Sequence, residues 1–573
     1  MGKNLWTPLS IATLLTLAGC NDDSSDSDSK VEADTVFYNG NVLTMDDEAS
    51  KATSVAVKDG KIVALNVPID DYSAQDTELI NLNSKTLIPG FIDAHGHMSM
   101  VAQYVNYANL SPSPIGTSDS IPQLIQVMQD FWQDKELADG QWIVGTGYDD
   151  SLLAEKTHPT RYDLDQISTE TPIVILHVSA HLAVVNSKGL ELLGIDDTTP
   201  DPDGGKIVRV IGTNTPNGVL EESAMYPAMA GFSSGPSDTA TMIETYKAAQ
   251  KYYASFGITT VQEGAAAISA VRTYDYLADN GELFLDIVAY PTWDNFKMLD
   301  LEGYKVSKNY ESNFRIGGVK FILDGSPQGK TAYMTQPYLN PPAGQAASYV
   351  GYPSLTQEDL QTKLRELLDK KVQFIAHANG DAAADMYLDA LGTIVTEQDN
   401  MVEIRPVAIH SQTIRDDQLE RMIKFSMIPS FFSAHTFFWG DWHRDEVFGE
   451  ERAQRISPTR SASNLNIKYT THNDAPVVDP DIIRLMYNTV NRVTRSGQTL
   501  GEEQKATPYE ALESVTRNAA YQYFEEDSKG SIEIGKLADL VILSDDPLTI
   551  DPTKINTISV LETFKNGVSV YKQ

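Results

Sequence analysis

Two patterns of apolar residues divide this chain. From Asp34 to about Lys85, short alternating runs (Val36-Phe37-Tyr38, Ser54-Val55-Ala56-Val57, Lys61-Ile62-Val63-Ala64) are punctuated by Asn39-Gly40 and Asp59-Gly60. A period of two gives a strand one apolar face, and Asn-Gly or Asp-Gly supplies the positive φ of a tight hairpin. The pattern returns at Leu540-Val541-Ile542-Leu543, Ile558-Ser559-Val560 and Asn566-Gly567-Val568. Two β-rich ends around one body predict a small β-sandwich built from both termini, residues 34–85 and 528–573.

Between the ends the strand-like runs are nearly continuous in apolar residues, as burial on both faces requires. They fall at 86–97, 257–265, 283–292, 317–326, 372–380, 405–413, 426–436 and 466–477. Amphipathic stretches separate several of them: Met242 to Phe256, Leu360 to Lys370, Asp416 to Phe425. This alternation predicts a parallel α/β architecture. Eight strands predict a (β/α)8 TIM barrel over 86–527, with its active site at the C-terminal strand ends. A doubly wound open sheet is the competing architecture, but no Gly-rich phosphate loop follows any of the runs. Roughly 150 residues separate the first two runs, against about 30 for an ordinary βα unit. An inserted subdomain at about 100–250, over the barrel mouth, is therefore expected.

Composition adds an exclusion. The 573 residues carry 44 Lys plus Arg against 79 Asp plus Glu, a formal charge of −35. Such a chain repels phosphate backbones, so no nucleic-acid partner is expected. Residues 1–19 read as a signal peptide: Lys3 is followed by an apolar stretch, Leu5 to Leu17, too short to span a bilayer comfortably. Leu17-Ala18-Gly19-Cys20 resembles the bacterial lipoprotein cleavage box, in which the cysteine becomes a lipidated N-terminus. An ordinary signal peptide with an incidental cysteine is the other reading. Residues 20–33, rich in Ser, Asp and Asn, read as a flexible tether. The expectation is a lipid-anchored protein of the bacterial envelope, facing the periplasm or the cell surface, of undetermined oligomeric state. Cys20 is the only cysteine, so the body holds neither disulfides nor thiolate metal sites.

Candidate chemistry begins at Pro89-Gly90-Phe91-Ile92-Asp93-Ala94-His95-Gly96-His97. Residues two apart on a strand share a face, so His95 and His97 converge and can share one divalent metal if further ligands arrive. Downstream, successive runs close on Lys320 and Asp324, on His377, on His410, and on His472-Asn473-Asp474. Taken singly, a strand-end histidine is an ordinary hydrogen-bonding residue. His-x-His, Lys, His, His and Asp in order along successive barrel strands make a metal constellation.

These motifs carry a resemblance. PGFIDAHGHM (89–98), HLAVVNSKGLELLGI (181–195), GITTVQEGA (257–265), VKFILDGSPQGKTA (319–332), His377, His410-Ser411-Gln412, NDAPV (473–477), TPYEALESVTRNAA (507–520) and GSIEIGKLADLVILSDDP (530–547) are similar to the amidohydrolase superfamily. Within it the chain resembles the amidohydrolase 3, or YtcJ-like, branch that includes N-substituted formamide deformylases. The resemblance implies that His95 and His97 bind a buried metal completed by Asp474. It implies that His377 and His410 bind a second, and that a carboxylated Lys320 bridges the two, both expected to be Zn2+. A single metal held by His95, His97, His377 and Asp474, with Lys320 structural, is the alternative. Relatives commonly carry Gly-Ser before the last aspartate, where this chain has His472-Asn473. His472 then reads as a packed core histidine, or as support beneath the metals.

The implied reaction is hydrolysis of a carbon–nitrogen bond in a small non-peptide amide (N-acyl or N-formyl) by a metal-activated hydroxide. Asp474 takes the proton from water and returns it to the leaving amine. Tyr148 and His181 in the insertion, Asp324, and the aromatic loop bearing His435 and Trp439 are the candidate substrate contacts. Hydrolysis of esters or lactones, and an inactive lipid-anchored binding or regulatory protein, are the competing functions.

Overall fold

The computed structural model describes residues 32–573, except 134–140, 151, 179–181, 203–204, 230–237, 343 and 397–398. The signal-peptide and tether segments, Cys20 and His181 lie outside the described residues. No helix among the described residues is long and apolar enough to cross a membrane.

The two termini meet in one eight-stranded sheet. In order it runs Val568–Lys572, Val560–Lys565, Leu540–Leu543, Thr86–Pro89, Thr35–Leu43, Lys51–Lys58 and Lys61–Leu65, with Glu78–Asn81 alongside Thr35–Leu43. Phe37, Val55, Leu87, Leu540 and Phe564 share its buried apolar face, so neither end has a complete core without the other. Asp59-Gly60 and Asn566-Gly567 form the expected hairpin turns, with φ of 48° and 73°, and 49° and 76°. Asn39-Gly40 does not. It lies inside the strand Thr35–Leu43, where the pairing register shifts, as a bulge. A bulge needs the same left-handed φ as a turn, and Asn39 supplies it at 57°.

The apolar run 86–97 is not one strand. Thr86–Pro89 pairs within the terminal sheet, whereas Phe91–Ile92 pairs with Ile258–Ala266. Gly90 makes the crossing, because a β-carbon there would stand 2.5 Å from the Thr259 hydroxyl. Beyond it, parallel ladders join Phe91–Ile92, Ile258–Ala266, Asp286–Pro291 and Phe314–Ile316. A second set joins Gly318–Ile322, Gln373–Ala378, Val407–His410, Ile428–Phe431 and Thr470–Thr471. Phe314–Ile316 and Gly318–Ile322 are one strand broken at Gly317-Gly318, where the backbone passes against Tyr290 and the Gln373 carbonyl too closely for any β-carbon. The result is eight strand positions in TIM-barrel-like α/β order, all but Ile258–Ala266 shorter than the apolar run that predicted them.

Among the described residues no ladder joins the first position to the eighth. Loop contacts span that seam: Asp474 N–H donates to His95 O (3.2 Å) and His97 N–H to Ala475 O (2.7 Å). The helices pack outside. Gln357–Asp369 is typical: Thr356 caps it through the Asp359 N–H, and Leu360, Leu364, Leu367 and Leu368 form one buried stripe. Between the first two barrel positions, residues 108–222 contribute a separate six-stranded sheet with its own apolar clusters.

A buried charge network ties the barrel to the terminal sheet. Asp286 accepts from Lys529 and from Lys565 (2.6 Å), and Lys565 also donates to Asp539 (2.7 Å). Lys529 meets Glu525 (2.8 Å), which meets Arg315 (2.7 Å). Burial opposes charge on Asp286, but the two ammonium groups outweigh it and hold the carboxyl at about 2. Asp286→Ala leaves Lys529 short of one counter-charge and Lys565 leaning on Asp539 alone. It should lower stability by about 3–5 kcal/mol, the usual penalty for breaking a buried ion pair. The check is the denaturant unfolding midpoint at neutral pH, compared with the exposed control Asp545→Ala, which should shift little.

Candidate metal centre

The six predicted ligands converge. Asp474 Oδ1 lies 3.3 Å from His95 Nε2 and 3.1 Å from His97 Nε2, and its Oδ2 lies 3.8 Å from His410 Nε2. Lys320 Nζ stands 3.1 Å from His95 Nε2, and His410 Nε2 stands 3.0 Å from His377 Nδ1. His95 and His97 follow their strand rather than sit on it, in the turn after Ile92. His377 and His410 are side by side because their strands are adjacent, with Ala378 opposite His410. His410 (φ 73°) and Asp474 (φ 56°) both hold left-handed backbone. That conformation costs about 1–2 kcal/mol in a residue with a β-carbon, and it turns each chain sharply as it leaves the strand.

The donor set fits divalent metal. His95 Nδ1 lies 2.5 Å from Gln262 Oε1, His97 Nδ1 lies 2.7 Å from Gly264 O, and His377 Nε2 lies 2.9 Å from Gly325 O. Oxygen acceptors fix the ring proton on those nitrogens and leave the other nitrogen of each ring bare, facing Asp474, Lys320 or His410. His410 Nδ1 lies 3.1 Å from His472 Nε2, and His472 Nδ1 lies 2.9 Å from Ser430 Oγ. A proton on each of these Nδ1 atoms satisfies that chain and bares His410 Nε2 as well. These nitrogens crowd acceptor against acceptor: those of His95, His97 and His410 lie 3.3, 3.1 and 3.8 Å from the Asp474 oxygens, that of His377 faces His410, and donor atoms of His95, His410 and Asp474 all lie within 4.8 Å of one another, a repulsive arrangement. A cation resolves that repulsion.

Burial sets the protonation states. It pushes His377 down to about 4, aided by the Lys320 charge, and His472 down to about 3. His95 and His410 are held well below the ordinary imidazole value, chiefly by burial. Burial also brings Lys320 down to about 7, against the pull of Asp474. Burial would raise Asp474, but the surrounding imidazoles, His95 foremost, outweigh it and keep its carboxyl well below the usual range. His97 is the exception: burial opposes its charge, but the Asp474 carboxylate against Nε2 outweighs it and raises the ring above the ordinary imidazole value. The site thus joins three imidazoles held low and one drawn up to an ionised carboxylate and an amine brought down to about 7.

The other predicted residues divide. Asp324 is buried beside His377 (3.6 Å), but its oxygens accept from the backbone N–H groups of Asn379 (3.0 Å), Gly380 (2.8 Å) and Tyr333 (3.0 Å). It fixes the loops around His377, and burial raises its carboxyl to about 7. His435 opens the helix His435–Phe438 and packs on Phe432 at 4.1 Å, with its ring 6.5 Å from that of His410. Trp439 follows at 5.5 Å from His435. Tyr148 lies in the inserted sheet, fully buried beside His158 and His177, and no contact joins it to the six ligands among the described residues. His472 is the buried bridge between His410 and Ser430, so it supports a ligand rather than merely filling the core.

Gln262 escaped the sequence reading. It holds His95 through Oε1 and donates through Nε2 to Ala94 O (2.9 Å). Its signal was available: Gln262-Glu263 place an amide and a carboxyl side by side in the middle of a strand buried along nearly its whole length. Glu263 clamps the next turn, accepting from the Ser99 N–H (2.6 Å) and hydroxyl (2.7 Å) and from Tyr274 (2.7 Å).

The chain is 26% identical over 556 residues to the N-substituted formamide deformylase of Arthrobacter pascens, covering 94% of this chain and 98% of that one. Crystal structures of uncharacterized metal-dependent hydrolases share the fold. The one from Pyrococcus horikoshii has a TM-score of 0.69 at 24% identity, over 90% of this chain and 99% of that one. The one from Pyrococcus furiosus has 0.67 at 22%, over 90% and 100%. The sequence profile of the amidohydrolase family matches residues 78–571, and the chain belongs to that family.

Proposed function

We propose that this member of a metal-dependent hydrolase family cleaves the carbon–nitrogen bond of a small non-peptide amide, such as an N-formyl or N-acyl amine. The observation that carries the reading is the set of bare imidazole nitrogens around Asp474, joined to near-full-length similarity to a formamide deformylase. His95, His97 and Asp474 would hold one divalent ion, zinc being the natural match, and His377 and His410 a second. Lys320 would bridge them as a carbamate. An amine brought down to about 7 is substantially neutral at physiological pH, and the neutral amine is what adds to carbon dioxide, forming the N–C bond with loss of one proton. When bound, the metals would supply Lewis acidity and make water acidic enough to deliver hydroxide near neutral pH.

The chain's own residues do the rest. Asp474 accepts the proton of the attacking water and returns it to nitrogen, which must be protonated to leave. It starts ionised, as a proton acceptor must. Gln262, Gly264 O and His472 keep the imidazoles aimed. Phe432, His435 and Trp439 form an aromatic wall next to His410 that suits an apolar substituent on the amide. Anchoring through a lipidated Cys20 is part of the proposal and rests on the Leu17-Ala18-Gly19-Cys20 box alone.

Purified protein should hydrolyse members of a panel of N-formyl, N-acyl and cyclic amides faster than matched esters and lactones, and lose that activity to a chelator. Preference for the esters or lactones would overturn the carbon–nitrogen reading. Asp474→Asn should lower kcat by ~10²–10⁴-fold with a much smaller change in KM. Metal content must be measured alongside, and a variant that keeps its metals and a rate within about tenfold of the parent would move proton transfer elsewhere.

Restoring metal-depleted protein with zinc should require bicarbonate. ¹³C-bicarbonate should give a carbamate carbon resonance in the parent that is absent from Lys320→Arg. Retention of that resonance in the variant, or full recovery without bicarbonate, would exclude the bridge. Cys20→Ser should leave turnover intact and move the protein from the membrane to the soluble fraction.

A further inference from the structure

A second convergence of histidine and carboxylate lies away from the barrel centre, in the inserted sheet. Strands Ile143–Tyr148 and Ile173–His177 run parallel, with Tyr148 opposite His177. Their ends deliver Tyr148-Asp149-Asp150 and His177 to one place, and the segment before the helix Arg161–Leu164 brings His158 to the same point. Asp150 Oδ1 is 3.0 Å from His177 Nε2 and 3.7 Å from His158 Nδ1. The two imidazole rings stand 5.7 Å apart at 76°, and donor atoms of Asp149, Asp150 and His177 all lie within 4.8 Å of one another. Tyr148 forms the floor: its ring meets His177 at 5.1 Å, and its hydroxyl is 3.2 Å from His158 Nδ1.

We propose that Asp149, Asp150, His158 and His177 bind a divalent cation of the zinc class, separate from the barrel centre and sharing no ligand with it. Two imidazoles and two carboxylates are the number and kind of ligand that a four-coordinate structural site uses, with Asp149, Asp150 and His177 already gathered and His158 against Asp150 as the fourth. Ligand atoms each ~2.0–2.2 Å from one tetrahedral ion stand roughly 3.3–3.6 Å from each other, close to the 3.0 and 3.7 Å found here. Burial keeps His177 below the ordinary imidazole value despite both aspartates, so the ring is neutral and able to ligate. The place also suits a pin. Asp149 lies within electrostatic reach of Arg495, whose guanidinium stacks on Phe437 and Phe438 (5.6 and 5.4 Å) of the rim helix below. An ion here fixes two strand ends of the insertion where they face the barrel rim.

The test is zinc stoichiometry on the full chain, saturated with the metal, freed of excess and measured by elemental analysis. The double variant Asp150→Asn/His177→Gln should hold one equivalent less than the parent. In a parallel variant, His97→Asn/His410→Asn, that equivalent should remain, so failure of the barrel reading and failure of this one are told apart. His158→Ala, which leaves the strand ends alone, should weaken the same equivalent by at least the ~10–100-fold that loss of an outer supporting residue costs. Zinc should also raise the unfolding midpoint of His97→Asn/His410→Asn, by mass action on the folded state. Equal zinc content in the parent and Asp150→Asn/His177→Gln, or unaltered affinity in His158→Ala, would reduce the cluster to hydrogen bonds and overturn the proposal.

Discussion

Everything at the mouth of this barrel depends on keeping bare imidazole nitrogens next to an ionised carboxylate in a buried space. Histidine does not hold a chosen tautomer unaided; an acceptor on the far ring nitrogen must take the proton. Here the acceptors come from the second strand (Gln262 and Gly264 O), from the loop after the fourth strand (Gly325 O) and from the eighth position (His472, backed by Ser430). The ligands therefore register not only their own strands but the neighbours of those strands. A shift of one residue anywhere in the ring would misplace an acceptor before it misplaced a ligand.

Much of this was legible in the sequence. Long apolar runs identified the barrel strands because burial on both faces leaves little room for polar residues, and five of the eight runs carry, towards their ends, a residue that reaches the site. The run 86–92 misled because nothing polar interrupts it: the switch between sheets is made by Gly90, and an apolar residue serves either sheet equally well. Asn39-Gly40 misled because a bulge and a hairpin turn ask for the same backbone angle. His472 was ambiguous because a buried imidazole in the core and one beneath a ligand have the same neighbours in sequence. In the sequence Tyr148 reads only as a candidate substrate contact. Its histidine partners stand at positions 158 and 177, and only strand pairing brings them together.

Charge is distributed on the same logic. The chain is strongly acidic, yet two carboxylates buried where the barrel meets the terminal sheet are matched by cations: Asp286 by two lysines, Glu525 by Lys529 and Arg315. Such networks give little net stability over apolar packing, but they punish any arrangement that separates the partners. The network is therefore best understood as fixing how the terminal sheet is seated on the barrel.

The place of Thr86–Pro89 in the terminal sheet, between Thr35–Leu43 and Leu540–Leu543, has a consequence for biosynthesis. The strand that leads into the barrel is flanked on one side by residues made more than 450 positions later, as the Leu87–Ile542 pairing shows. Until the ribosome has released nearly the whole polypeptide, that edge stays open, with its backbone groups unpaired and its apolar face half covered. Nascent chains of this protein must be kept from pairing with one another through that edge, and the final step of maturation is the docking of the last strands onto the first.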